Sequence, residues 1–514
     1  MKMRSVLEGI GAALLLTVYM PFLDPSNIPL YHHGLPVTNL IGGLLVDMLG
    51  LALLVTGFLV AVQHLRATIQ RILIALFTGF MLWRIVDFTV KMQTDLQIAA
   101  YWSGVRRGSC IAICLLSGLL AYFLPRVVQP AARAVRLVIA SFAFSAVWTI
   151  PQLLHLAMIR EPAQSAAPKN LPIVTRSGFN QRIIWILFDE LSYDQTFDHP
   201  ASGVKLPNFS RLRAESVSFS NLEPVGFETD HIIPSLFLGQ RIDRIRSTVN
   251  GDLWYKDESQ RRWLAYDPNS TLFGLAQRNG WSTGVDGWYN PYCRFLRQVL
   301  NVCFWEPVAA LPMEAYGASE EKSVLANAAV LPNAILAKLT HRTTTYPDAQ
   351  IQQYLNVMAR THALIEYDQV RFVFLHLPLP HPYGIFDRRR HILRSGGTYF
   401  DNLVLADDTL GELLQEIYAT PSASQTTVIV SSDHSWRIPL WRHAEFWSDE
   451  EERASGGRFD DRPVLLIHFH GQKNGNDINP ALPELLEHDI IVDMLRGQIN
   501  NPKDLASFLS QCKH

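Results

Sequence analysis

Residues 183–190 read Ile183-Ile184-Trp185-Ile186-Leu187-Phe188-Asp189-Glu190, a short apolar run that ends abruptly in two carboxylates. A run of this length, rich in β-branched and aromatic residues and without polar alternation, is the pattern of a strand buried on both faces, as in a parallel sheet. Ligands of such sheets bind beyond the carboxyl ends of the strands. Two acids there are costly unless they hold a cation or face water. The pattern recurs where Thr426-Thr427-Val428-Ile429-Val430-Ser431-Ser432 runs into Asp433-His434. Two strand ends that together offer Asp189, Glu190, Asp433 and His434 point to a divided metal site.

The chain has 514 residues and a formal net charge of -2. The length exceeds one ordinary domain, and the balanced charge provides no basic field for nucleic acid. Residues 1–159 are strongly apolar, 160–180 read as a linker of Pro, Ala, Ser and charge, and 181–514 have the mixed composition of a globular domain. Apolar stretches at roughly 6–23, 40–62, 70–90, 109–125 and 137–157 are expected to form five membrane helices. The first follows Lys2 and Arg4 without a small-residue cleavage site, so it reads as an uncleaved anchor. With a cytoplasmic N-terminus, the inner segments carry Lys2, Arg4, Arg66, Arg71, Arg126, Arg133 and Arg136, and the outer loops only Lys91, Arg106 and Arg107. That bias fits the positive-inside rule, and an odd number of spans leaves the C-terminal domain outside the cytoplasm. Arg84 and Asp87, near the end of the third span, read as paired or snorkelling.

Beyond residue 180, strand-like and helix-like segments alternate. Strands are expected at 183–188, 281–286, 371–377, 426–431 and 463–469, and helices at 271–279 and 399–418. Alternation of this kind implies an α/β domain with a mostly parallel, doubly wound sheet. Residues 305–365 look helical without an evident place. Cys293 and Cys303, ten residues apart, suit a disulfide if this half meets an oxidising compartment. Cys110 and Cys114 share a face of the fourth span and read as apolar packing.

The segment Gly226-Phe227-Glu228-Thr229-Asp230-His231-Ile232-Ile233-Pro234-Ser235 carries a third feature. Proline is comfortable in the first turn of a helix, so a helix is expected to start near Ile233, with Thr229 just before it. Backbone N–H groups at a helix start favour a phosphoryl or sulfuryl anion. A hydroxyl there, bound to a divalent cation, becomes a usable nucleophile near neutral pH. The plainer reading is a threonine that caps a helix.

Glu190 precedes Thr229 by 39 residues, a proline follows the threonine by five, and Asp433-His434 closes a later strand. In order and spacing these motifs resemble the alkaline phosphatase superfamily, in its sulfatase-like branch. The resemblance is to membrane phosphoethanolamine transferases and lipoteichoic acid synthase (a phosphoglycerol transferase), which also carry five spans before an extracytoplasmic catalytic domain. It covers 181–470 at its motifs and the membrane part in span count. It implies that Glu190, Thr229, Asp433 and His434 bind a divalent ion, with zinc and manganese both suited to such a shell. It also implies that Thr229 attacks phosphorus and carries the group covalently.

His381, in Pro380-His381-Pro382-Tyr383-Gly384, matches a histidine that in the related enzymes contacts the substrate phosphate or donates a proton. His376 reads as a core histidine or a substrate-side neighbour of His381. His443, nine residues after His434, is a candidate for the leaving group or a second metal. Asp189 is a candidate second ligand, although the transferase branch has no acid at that position. His231 is a candidate for substrate contact. The chain lacks the Cys/Ser-x-Pro-x-Arg motif of true sulfatases, and no cysteine flanks Thr229.

The expected protein is a bacterial inner-membrane enzyme with a periplasmic or extracytoplasmic metallo-domain. It takes a phosphoryl-linked head group from a membrane phospholipid and passes it to a cell-envelope glycan or lipid. Two rivals are a phosphodiesterase or phosphatase with water as acceptor, and a membrane-bound binding protein that keeps the fold without catalysis.

Overall fold

In the computed structural model, Ile183 to Phe188 lie at the centre of an eight-stranded sheet. The structure describes residues 3–17, 33–34, 36–91, 96–158, 181–247, 252–257, 262–308, 314, 317–339, 348–444 and 446–511. The expected linker, the end of the first span and Cys512 lie outside these residues. By packing the chain divides into two units. One comprises Met1–Pro162, Ala309–Tyr346 and His443–Glu445, and the other comprises Ala163–Val308, Pro347–Arg442 and Phe446–His514.

The sheet of the second unit contains β1 (Arg182–Asp189), β2 (Val217–Phe219), β3 (Thr283–Trp288), β4 (Val302–Glu306), β5 (Phe372–Pro380), β6 (Thr426–Ser432), β7 (Leu465–His468) and β8 (Asn476–Ile478), in the order β8-β2-β7-β6-β1-β5-β3-β4. All neighbouring pairs are parallel except those made by β7, which runs against β6 and β2. Every residue of β1 is buried, as a strand covered on both faces requires. Its even-numbered residues Ile184, Ile186 and Phe188 share a core with Leu403, Ala406 and Leu410 of the helix Tyr399–Ala419. On the other face the Trp185 ring meets Phe374 and Phe237 edge-on, at 4.7 and 5.9 Å between centroids.

Phe237 belongs to the helix Thr229–Leu238, which also buries Ile232, Ile233 and Leu236. Four large apolar side chains, each worth roughly 1.5–3 kcal/mol when buried, fix this helix. It ends at Gly239, whose φ of 71° is the left-handed conformation that closes helices; a Cβ there would also strike the His488 ring at 2.4 Å.

In the first unit three helices are long and apolar enough to cross a membrane: Thr38–Val62, Ala67–Asp87 and Pro125–Met158. The expected first and fourth spans are represented by Met3–Thr17, of 15 residues, and by the shorter apolar run Gly108–Phe123. Helix Met3–Thr17 comes close to its neighbours through glycine: a Cβ on Gly9 would lie 2.1 Å from Thr56 Oγ1, and one on Gly11 1.8 Å from the Ile139 carbonyl oxygen. Small residues at such crossings let membrane helices pack by van der Waals contact. Arg84 and Asp87 are paired at 2.5 Å, and Asp87 also binds Arg106 at 2.7 Å. The helix Val324–Leu339, unplaced by sequence, packs on Thr38–Val62. Glu320 just before it accepts from the backbone N–H groups of Asn39 and Leu40, an anion at a helix start.

Candidate active site

The parallel register sets the site. Phe188 pairs with Ser432, so Asp189 and Asp433 leave adjacent strand ends side by side. Tyr399 braces both ends. Its hydroxyl donates to the Glu190 carbonyl oxygen at 2.8 Å, and its ring stacks on Trp436 at 4.4 Å. The Glu190 backbone N–H donates to Asp433 Oδ1 at 3.2 Å.

Thr229 enters from the helix it begins. The helix starts four residues earlier than the proline suggested, and Pro234 lies inside it. In that position proline leaves the Asp230 carbonyl without its i+4 donor, while Ser235 Oγ donates to the His231 carbonyl at 2.7 Å. Thr229 Oγ1 donates to Asp433 Oδ2 at 2.7 Å and lies 3.1 Å from His434 Nε2. Thr229, Asp189, Asp433 and His434 are all buried.

His434 Nδ1 lies 3.0 Å from the Ser435 carbonyl oxygen. A carbonyl only accepts, so Nδ1 carries a hydrogen and Nε2 is the ring nitrogen left to face the acids. Nε2 faces Asp433 Oδ2 at 3.1 Å and Asp189 Oδ1 at 4.0 Å. Asp189 Oδ1 is buried without a hydrogen-bond partner among the described residues. One ligand atom each from Asp189, Asp433 and His434 lie within 4.8 Å of one another. A divalent ion fits this set: two carboxylates, an imidazole nitrogen oriented by its other N–H, and a hydroxyl. Burial pushes the Asp433 carboxyl up, but the His434 imidazole, with His376 and the Thr229 hydroxyl, holds it below the usual carboxylate range.

Glu190 has further partners, and with Asp189 and His381 it offers a second group of ligand atoms within 4.8 Å of one another. It turns with φ 65°, and its carboxylate is held by Arg437 Nε at 2.8 Å and by Trp441 Nε1 at 2.9 Å from each oxygen. Its Oε1 is 4.0 Å from His381 Nε2. The acid that meets Asp433 and His434 is therefore Asp189.

His376, in β5, is fully buried. Its Nδ1 is 2.7 Å from the Tyr292 hydroxyl and its Nε2 3.4 Å from Asp189 Oδ2, so it orients that carboxylate from behind. His381 lies just past β5, with Nδ1 2.9 Å from the Pro382 carbonyl and its ring between Trp288 and Trp441 at 5.2 and 5.4 Å. His231 is half-buried, 3.4 Å from Glu228 and 3.5 Å from Asp230. His443 is an exposed turn residue grouped with the first unit. Asp407 caps the helix Pro207–Ala214 through the Phe209 N–H at 2.8 Å, while Asp408 is exposed.

Arg437, Trp441, Trp288, Tyr292 and Asn290 (which donates to the Thr229 carbonyl at 3.3 Å) were not singled out from sequence. The available signal for Arg437 was its place four residues after Asp433, beside Trp436. Three of the four described non-glycine residues with positive φ, namely Glu190, Tyr289 and Tyr383, lie around this site. Each costs about 1–3 kcal/mol, and such strain collects where function over-determines the backbone.

No protein-family model matches the chain, and no curated protein sequence matches it either. Solved structures do match. One of them is a protein of the alkaline phosphatase superfamily. It comes from Vibrio parahaemolyticus and matches with 13% identity and a TM-score of 0.35, over 64% of this chain and 69% of that one. The lipoteichoic acid synthase LtaP from Listeria monocytogenes matches with 15% identity and a TM-score of 0.36, over 62% of this chain and 72% of that one. The phosphonate monoester hydrolase of Agrobacterium radiobacter matches with 14% identity and a TM-score of 0.39, over 62% and 74%. At these levels of similarity, what the chain does has to be read from its own residues.

Proposed function

We propose that this chain is a membrane-anchored, metal-dependent transferase. It moves a phosphoryl-linked head group, of phosphoethanolamine or phosphoglycerol type, from a phospholipid through a covalent Thr229 intermediate to a cell-envelope glycan or lipid. The observation that carries this reading is the Thr229 hydroxyl at a helix start, 2.7 Å from Asp433 and 3.1 Å from His434. A zinc or manganese ion held by Asp189, Thr229, Asp433 and His434 would supply a lowered hydroxyl pKa and neutralise charge on the transferring group.

The chain's own groups do the rest. Asp433 Oδ2 accepts the Thr229 hydroxyl hydrogen and fixes the direction of Oγ1. The backbone N–H groups at the start of the helix Thr229–Leu238 favour the phosphoryl oxygens. Oγ1 gives its hydrogen up to Asp433 Oδ2 and forms a bond to phosphorus as the bond to the diacylglycerol oxygen breaks. His381, entering this step with both ring nitrogens protonated, supplies the proton to that oxygen from Nε2 while its Nδ1–H stays on the Pro382 carbonyl. In the second half-reaction an acceptor hydroxyl returns a proton to His381 and attacks phosphorus, and Thr229 leaves, taking its hydrogen back from Asp433 Oδ2.

A lipid donor gives the apolar helices a purpose, because enzyme and substrate then share one surface. The disulfide between Cys293 and Cys303 supports an oxidising side, as expected for an extracytoplasmic domain on a bacterial inner membrane. The test uses the full chain in detergent micelles with labelled phosphatidylethanolamine or phosphatidylglycerol. Metal-dependent release of diacylglycerol that a chelator abolishes is the expected result. Turnover of soluble diesters with neither lipid used would replace the transferase with a hydrolase.

A further inference from the structure

We propose that the first unit binds a second lipid, an anionic phospholipid held by its phosphate, in a cavity where the helices Ala67–Lys91 and Pro125–Phe142 begin. The cavity measures about 310 Å³, and its polar lining is Gln70, Arg71, Gln129, Arg133 and Arg136. That volume is at the lower end of the range for ligand sites, enough for a head group.

The charges in it are unevenly matched. Arg136 is satisfied inside the protein: its Nη2 lies 2.7 Å from the fully buried Glu8, which also binds Arg4 at 2.8 Å. Arg71 and Arg133 make no hydrogen bond or ion pair with any described residue. Two exposed guanidinium groups therefore line one concavity without a counter-ion among the described residues, open to an anion from outside. Guanidinium is the side chain best matched to phosphate oxygens, and Gln70 and Gln129 add neutral donors.

Position argues for a lipid as the source of that phosphate. Ala67 and Pro125 are the first residues of two of the helices apolar and long enough to span a membrane, so the cavity lies near a membrane boundary. Arg126, Gln129, Arg133 and Arg136 recur at helical spacing along Pro125–Phe142, and three of these four line the cavity. Ile74 and Ala132 line it as well and offer an apolar wall to the glycerol and first acyl carbons. Basic pockets between membrane helices are the recurrent form of anionic head-group sites. Arginines that only marked the inner face of a membrane would need no cavity and no glutamines. The proposal rests on the membrane reading and is independent of the chemistry at Thr229.

The test is native mass spectrometry of the full chain released from micelles containing cardiolipin, phosphatidylcholine or inorganic phosphate. The expected result is a retained cardiolipin adduct in both the parent and Thr229→Ala, weakened about tenfold or more in Arg71→Gln/Arg133→Gln. Equal retention in the double variant, equal retention of phosphatidylcholine, or displacement by inorganic phosphate would overturn it. A photoactivatable anionic lipid on the parent provides the check that needs no variant. It should label the peptides around 70–75 and 125–136, and labelling confined to other peptides would refute the site.

Discussion

The guanidinium of Arg437 closes on the carboxylate of Glu190, with Nε at 2.8 Å and Nη2 at 2.5 Å from the same oxygen. Both groups are largely buried, and Trp441 completes the enclosure. Two adjacent acids at one strand end are thereby given different work: Asp189 turns to Asp433 and His434, and Glu190 is neutralised by a fixed cation. Metal analysis of purified variants should separate them. Asp189→Asn, Asp433→Asn and His434→Ala should lose most of the bound zinc or manganese, while Glu190→Gln should keep it. Loss in Glu190→Gln as deep as in Asp433→Asn would make Glu190 a ligand after all. Arg437→Ala should lower stability by about 3–5 kcal/mol, because it strands a buried charge.

Glu487 sets a pH dependence away from the site. Burial raises its carboxyl from 4.5 to about 8, against the Ser431 hydroxyl and the Trp185 indole. The folded protein thus keeps a proton that the unfolded chain releases. Its contribution is fully present below about pH 4.5 and is lost as pH rises towards about 8, by at most about 1.4 kcal/mol per unit. Melting temperatures measured between these limits should fall with pH in the parent and fall less in Glu487→Gln. Parallel slopes would remove Glu487 from the account.

The Cys293–Cys303 bond ties the short helix Tyr292–Phe295 to β4. Closing a loop of this size contributes about 2–3 kcal/mol. Cys293→Ser/Cys303→Ser should therefore melt earlier by a corresponding amount. Turnover should also fall, because Tyr292 beside the bond holds His376 behind Asp189. A variant with unchanged melting would show the bond to be incidental.

The strand ends were legible because the signal is local. An uninterrupted apolar run that stops at acids is visible in eight residues, and β1 and β6 are such runs. The helix over Thr229 was legible in kind but not in start, since proline in a second turn removes one bond that the rest of a buried helix outweighs. Both acids were legible as candidate ligands, but their different partners were not. That difference depends on a positive φ at Glu190 and on an arginine 247 residues away. Nor was the packing of Val324–Leu339 on Thr38–Val62, which joins segments far apart in the chain. Span number depends on apolar length, and among the described residues Met3–Thr17 and the apolar stretch Gly108–Phe123 of the helix Leu96–Phe123 are shorter than the three candidate spans.

The most direct test of the central claim is mass spectrometry of the Thr229 peptide from full-length protein taken out of its native membrane. The account predicts a phosphoryl-linked head-group adduct on Thr229 that is absent from Thr229→Ala, and its mass would name the donor. An unmodified Thr229 in metal-loaded protein that is turning over lipid would contradict covalent transfer.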